Sequence, residues 1–313
     1  LGFLVLCIVV VVRGVSQGIE KVSKVLMPLL FLLLAGLVVY SVTRPGAGEG
    51  LRFLFGIDPA RLSGDTLVGA LGQAFFSLSV GMGIMVTYGS YVPKSENLAK
   101  SAGWICALDT LVAVMAALAI VPVVMITQGE EGLGMGGGFA FISLPAMFAE
   151  LPGGRFFGMA FFALLFLAAL TSAISILESL VAFLTEEFHL SRARAAIGLS
   201  VPMALLSAGY SLSQSAGRGI NLPWFDFKNG MQMLPMNAVM EKFTDNLMIP
   251  LGALCFCLFV GWVWGTKAAG QEIAGEHGLR RMQKPWAFAV RFLAPLVIVV
   301  ILYFTLGMGE GLS

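Results

Sequence analysis

Charge is scarce in this chain. Only 12% of its 313 residues are Asp, Glu, Lys or Arg, about half the share of a soluble domain. Nineteen basic residues stand against eighteen acidic ones, for a net charge of +1. No basic tract is present, which excludes a nucleic-acid partner. Histidine is nearly absent: His189 and His277 both lie in polar connectors. The four cysteines (Cys7, Cys106, Cys255 and Cys257) all fall inside apolar segments. None stands at metal-site spacing with histidine, so they read as small core residues rather than ligands or a disulfide framework. No signal-peptide pattern opens the chain. It starts on Leu1, directly inside an apolar run, and the expectation is a fragment of a longer protein.

What is present is hydrophobicity, 58% of the residues. Apolar runs long enough to cross a bilayer recur from end to end and predict an all-α membrane protein. Eight segments emerge. Leu1–Val12 is a partial span. Val25–Thr43, Leu67–Tyr91, Ala102–Thr127, Phe156–Glu186, Arg194–Leu212, Ala238–Gly265 and Trp286–Gly307 come after it. Gly138–Leu151 is too short to span and predicts a helix or re-entrant element within a loop. No soluble domain interrupts the pattern, so residues 1–313 read as one transmembrane domain. Arg13, Lys21, Lys24, Lys94, Lys100, Arg192, Arg194, Lys267, Arg280, Arg281, Lys284 and Arg291 crowd alternate connectors, which places those inside. The loops at 44–66, 128–155 and 213–237 are then outside.

The segment Leu67–Tyr91 reads LVGALGQAFFSLSVGMGIMVTYGSY. Ser77, Ser79, Gly81 and Gly83 surround its midpoint. Interior glycine costs about 1 kcal/mol of helix propensity relative to alanine, and hydroxyls offer the backbone other partners. A break from Ser77 to Gly83 is therefore predicted at mid-membrane. Unwound backbone at that depth is tolerated only where it lines a cavity or packs on protein. A binding site and close packing through small residues both remain open from this segment alone.

Other polar groups share that depth. Ala168, Thr171 and Ser172 lie at i, i+3 and i+4 on one helical face. A carbonyl and two hydroxyls are hard oxygen ligands suited to an alkali cation; hydroxyl back-bonding to the preceding turn is the plainer alternative. Asp109 stands inside an apolar span, where a carboxylate marks an ion or proton path unless it snorkels to the nearby end. Glu178 is a second intramembrane acid. Glu186 and Glu187 fall at a helix end, where their charge opposes the dipole.

Several ordered stretches resemble the neurotransmitter:sodium symporters, especially bacterial amino-acid transporters related to the leucine transporter. They are RGVSQGIEKVSKVLMPLLF (13–31), GQAFFSLSVGMGIMVTYGSY (72–91), FISLPAMF (141–148), FLAALTSAISILESLVAFL (166–184) and IPLGALCFCLFVGWVWG (249–265). The resemblance covers nearly the whole chain. It implies a leucine-transporter-like inverted-repeat bundle, truncated to run from late in the family's fourth helix through its eleventh, with the broken segment as the sixth.

By the same resemblance, Phe76, Ser77, Ser79, Met82, Ser172 and Ile176 would line the substrate pocket. Ser77 and Asp109 would serve a first sodium site; Ala168, Thr171 and Ser172 would form half of a second. Gln73 matches a position near the anion pocket of chloride-dependent relatives. Tyr91 and Glu186 match a cytoplasmic gate and Glu241 an extracellular one. Gly18 and Pro28 reproduce a spacing thought to let the fifth helix unwind. Two departures stand out. Asp109 replaces the asparagine of many relatives, and Ala113 stands where chloride-independent members can carry glutamate. Asp109 is thus expected to supply the fixed negative charge, so that chloride is not required. The segment NLPWFDFKNGMQMLP, within a long loop Gly209–Asn237, has no assigned role.

The function implied is sodium-coupled symport of a neutral, hydrophobic or aromatic amino acid in a bacterial inner membrane, with the lipid bilayer as partner and no enzymatic step. The family's substrate site needs its first and third helices as well, so these residues alone are expected to carry half of it and not to transport. A channel and an intramembrane hydrolase using Asp109 and Glu178 are the competing readings. Against the hydrolase, no His, Lys or second Asp stands where it would activate Ser77, Ser79 or Ser172.

Overall fold

The computed structural model describes residues 2–56, 63–134, 139–213, 220–227, 230–274 and 283–306. Among these described residues, six helical stretches are long and apolar enough to cross a membrane: Val15–Val42, Leu98–Thr127, Gly154–Glu187, Arg192–Ser213, Met236–Val263 and Gln283–Thr305. The short apolar helix α1, Gly2–Val12, and a broken seventh segment complete the predicted set. Within each span, between 11% and 22% of the most apolar window is buried inside the chain. Most residues of each window are thus not buried by the described part of the chain.

The remaining elements, in order, are α2 (Glu20–Val42), α3 (Ala47–Phe55), α4 (Gly64–Ser77), α5 (Ile84–Ser90), α6 (Leu98–Thr127), α7 (Leu144–Glu150), α8 (Gly154–Glu187) and α9 (Arg192–Ser213). Then come β1 (Asn221–Asp226), β2 (Gly230–Pro235), α10 (Met236–Glu241), α11 (Ile249–Leu258), α12 (Thr266–Ala274), α13 (Gln283–Phe288) and α14 (Ala294–Thr305). Among the described residues five π turns interrupt or join helices: Val15–Ile19, Phe139–Ser143, Lys242–Met248, Phe259–Val263 and Ala289–Leu293. Such turns are rare in proteins at large and concentrate at functional segments.

Two compact units are distinguishable, one of residues 1–8, 60–106 and 176–313, the other of 9–59 and 107–175. The second unit has an aliphatic and aromatic core of Leu34, Leu37, Val123, Val124, Leu144, Met147, Phe148, Phe157 and Phe161. Phe148 meets Phe157 edge-on at 4.6 Å, and Tyr40 lies 4.3 Å from Phe157 between ring centroids. The Tyr40 hydroxyl donates to Pro152 O at 2.7 Å. This ties the short loop helix α7, expected from the 138–151 segment, to α2 and α8. In the first unit α11 packs on α14, burying Ile249, Ala253, Ile298 and Ile301.

Several expectations are corrected. The span predicted from Val25 begins ten residues earlier, at Val15. Its polar first turn carries a surface pair of Glu20 and Lys24, 2.6 Å apart, at the i, i+4 spacing that adds modestly to helix stability. The loop at 44–66 contains α3, seated against Pro122 through Gly50. The 213–237 loop contains an antiparallel hairpin of β1 and β2. Among the cysteines only Cys7 is core; Cys106 and Cys255 are exposed and Cys257 half-buried, positions a weakly polar thiol fills as readily facing lipid. Arg61, Lys228, His277, Arg280 and Arg281 lie outside the described residues.

Candidate functional site: a broken helix and its supports

Helix α4 opens with a capping box in which Ser63 and Thr66 satisfy each other's backbone N–H. It ends where the sequence predicts, at Ser77. Val80 N–H donates to Phe75 O and Ser79 N–H to Phe76 O, both at 3.0 Å. This pair of bonds is a Schellman termination. Its left-handed residue is Ser79, at φ 53°, where glycine is usual. A non-glycine residue held there stores about 1–3 kcal/mol that the surroundings must sustain. Gly81 and Gly83 come next at φ 93° and 78°, and α5 starts at Ile84.

The surroundings that sustain the break are the backbone of α11. A Cβ on Gly81 would fall 2.2 Å from Ile249 O and 2.8 Å from Ala253 N. A Cβ on Gly252 would fall 2.3 Å from Gly81 O. Two main chains therefore meet with no side chain between them, an approach that only glycine permits on both sides. Ala253 is fully buried beneath the contact. Sequence reasoning missed Gly252, because a single glycine in an apolar span carries no local signal of what it faces.

Within the same unit Phe76 is half-exposed, Ser77, Ser79 and Met82 are partly buried, and Ile176 is exposed on α8. A cavity of about 320 Å³ lies beside α4, lined by Gln73, Phe76, Asp245, Asn246, Ile249 and Thr305 among others. Gln73 thus faces α11, α14 and the π turn that precedes α11. Asn246 and Thr305 are bound reciprocally, Asn246 Nδ2 donating to Thr305 O at 3.4 Å and Thr305 Oγ1 to Asn246 O at 3.3 Å.

The other unit holds Asp109, partly buried on α6, and the α8 residues Ala168, Thr171 and Ser172. Thr171 Oγ1 donates to Ala168 O at 2.9 Å, and Ser175 Oγ donates to Thr171 O at 3.0 Å. Back-bonding is thus observed. It also brings two of the oxygens assigned to one sodium shell within bonding distance of each other. Among the described residues no group of three or more His, Cys, Asp or Glu is placed to hold a metal. A carbonyl and hydroxyls fit a hard, singly charged cation and would not select a transition metal.

Glu178 finds its role in the C-terminal half of α8. It is fully buried. Tyr91 donates its hydroxyl to Oε1 at 2.8 Å, and Arg192 Nη2 donates to Oε2 at 2.5 Å. A buried carboxylate in a span is sustained only by such pairing. Tyr91 ends the broken segment and Arg192 opens α9, so Glu178 joins three elements of one unit. Tyr91 is therefore bound to Glu178, while Glu186, expected beside it at the gate, is exposed two turns farther along α8.

Comparison with known proteins agrees with this architecture. The sequence profile of the sodium:neurotransmitter symporter family matches residues 1–310. The chain belongs to the sodium:neurotransmitter symporter family. Within that family it is 33% identical over 314 residues to an uncharacterized sodium-dependent transporter, YhdH, of Bacillus subtilis, covering 98% of this chain and 66% of that protein. A similar Haemophilus influenzae transporter is 32% identical, with 96% of this chain and 63% of the relative covered. The bovine sodium-dependent dopamine transporter is 24% identical, with 95% and 42% covered. The crystal structure of MhsT in complex with L-phenylalanine superposes with a TM-score of 0.80 at 37% identity, covering 97% of this chain and 66% of MhsT. The chain thus spans just under two thirds of the length of these bacterial relatives.

Two predicted features of the symporter family remain to be placed. Glu241, at the end of α10, accepts a 2.6 Å hydrogen bond from Tyr210 of α9. Gly18 lies in the π turn Val15–Ile19, and Pro28 lies inside α2.

Proposed function

We propose that the full-length protein is a sodium-coupled symporter of a neutral, hydrophobic or aromatic amino acid, working by alternating access in a bacterial inner membrane. The observation that carries this reading is the break between α4 and α5, built at the middle of an apolar segment, with Gly81 set directly against the backbone of α11. The break interrupts a membrane-length segment at its middle, and broken-helix ends of this kind serve cations and polar substrate groups at mid-membrane. Ser77 and Asp109 would hold one sodium ion; Ala168 O, Thr171 and Ser172 would hold part of the shell of a second. Bound sodium supplies positive charge that offsets carbonyl dipoles and a substrate carboxylate. Phe76, Met82 and Ile176 offer apolar surface without a counter-charge, which selects against charged side chains. MhsT, the structural neighbour, is described with L-phenylalanine.

In proteoliposomes of the full-length protein, a sodium gradient is expected to drive saturable uptake of leucine, methionine, phenylalanine or tryptophan. Uptake of only glutamate or lysine, or an ohmic current in place of saturable uptake, would overturn the reading. Chloride is expected to be dispensable at neutral pH because Asp109 provides the fixed charge. Asp109→Asn is then expected to make uptake chloride-stimulated or to abolish it; wild-type uptake that stops when gluconate replaces chloride would sink the assignment.

A further inference from the structure

The hairpin of β1 and β2 has a face that neither the symport reading nor the helix packing uses. Phe225 stands opposite Met231, Pro223 opposite Met233, and Asn221 opposite Pro235. Directly opposed residues share a face, so these six form one side of the ribbon, and all six are exposed. Phe225 is 56% exposed, Met231 68% and Met233 63%. Phe227, just past β1, adds a ring 5.3 Å from that of Phe225. No charged residue lies on this face. The other side, with Leu222, Trp224, Gln232 and Leu234, is partly buried. A contiguous apolar patch of this kind marks an interaction surface.

The base of the ribbon fixes where the patch sits. Met236 N–H donates to Ile220 O at 2.8 Å, closing the hairpin onto the start of α10. Ser213, the last residue of α9, bonds Asn237 through its hydroxyl at 3.2 Å. The ribbon therefore springs from the level at which two spans end together. The spans beneath it carry exposed Leu205, Leu206 and Leu212 on α9, and Phe243 and Met248 before α11, so apolar surface continues from helix to hairpin. Aromatic rings and uncharged apolar groups at the level where spans end match the headgroup boundary of a bilayer. Six residues of strand reach about 20 Å, enough to lie along that boundary.

We propose that the exposed face of this hairpin is a membrane-interface anchor, seated among the headgroups and upper acyl chains of the outer leaflet. The assignment rests on the membrane-spanning reading and the sidedness given by the connectors, and not on which solute is carried. The test uses the chain in phosphatidylcholine–phosphatidylglycerol nanodiscs with Cys7, Cys106, Cys255 and Cys257 replaced by alanine. Spin labels are placed by Phe225→Cys, Met231→Cys and Met233→Cys, with Leu222→Cys and Gln232→Cys as references. Collision with oxygen relative to a water-soluble nickel chelate is expected to be several-fold higher at the first three positions than at the references. Dominant nickel collision at 225, 231 and 233 would show a face in water, and shielding from both reagents a face covered by protein; either overturns the proposal. A photo-crosslinking residue in place of Phe225, with the native cysteines kept, gives a second reading. Lipid adducts are expected, and protein adducts instead of them would overturn the proposal even if the labelled variants fold poorly.

Discussion

Replacing Gly252 by alanine is expected to cost about 2–3 kcal/mol of stability, and replacing Gly81 more. Overpacking typically costs about 1–3 kcal/mol, and most where nothing flexible can give way. Here the new methyl group meets main chain in both directions, at 2.3 Å from Gly81 O or 2.2 Å from Ile249 O. Gly81 carries an added penalty of about 1–2 kcal/mol because its φ of 93° disfavours any β-carbon. Gly69→Ala is the matched control. It lies in α4 with nothing near its would-be Cβ, so propensity alone acts and should stabilise by up to about 1 kcal/mol. Thermal unfolding in detergent ranks the three variants. Equal effects of Gly252→Ala and Gly69→Ala would show that α11 is not the seat of the break. If the full-length protein works as proposed, Gly252→Ala is also expected to raise the sodium concentration needed for half-maximal uptake, because it displaces the backbone of the break without touching a proposed ligand.

A second large effect is expected at Glu178. Glu178→Leu removes the carboxylate to which the Arg192 guanidinium and the Tyr91 hydroxyl both donate. Removing one member of a buried pair costs about 3–5 kcal/mol. The low end, about 3 kcal/mol, is expected here because the Arg192 side chain keeps 28% of its exposure and can turn toward water. The double variant Glu178→Leu, Arg192→Leu is expected to recover most of the loss, since a well-packed apolar pair often replaces a buried ion pair without penalty. Glu186→Leu, on an exposed face of the same helix, is expected to stay within about 0.5 kcal/mol of wild type. If Glu178→Leu were no worse than Glu186→Leu, the cluster would not be what holds these three elements.

The parts of this architecture that rest on local chemistry were legible in the sequence. Long apolar runs located the spans. The serines and glycines around Ser79 located the break to the residue at which α4 ends, because each one weakens the helix where it stands. Contacts made across the chain were not legible in the same way. Tyr91 and Glu178 are 87 positions apart, and nothing near either one names the other. Glu186, the acid the resemblance pointed to, differs from Glu178 only in how far along α8 it lies. The hairpin is a different case. Asn229–Gly230 is the strongest short-range signal for a tight turn between strands, and apolar residues alternate on both sides of it. The segment is nonetheless left without a role, because its length alone is read. The polar start of α2 was lost for a similar reason: Glu20, Lys21 and Lys24 read as a connector, although their spacing allows a helical ion pair.

The π turns at Lys242–Met248 and Phe259–Val263 bracket α11 on both sides. A π turn holds about one more residue than an α turn, and each added residue rotates the downstream helix by about 100° around its axis. This span is therefore a place where a gene can lose a single codon and still encode a membrane helix. The loss would leave Gly252 on its seat and swing Glu241, or on the other side Trp264, to a different compass bearing. Length differences of one residue between relatives are expected to gather at these two points, and an ungapped comparison that runs through them will pair an outward face with an inward one.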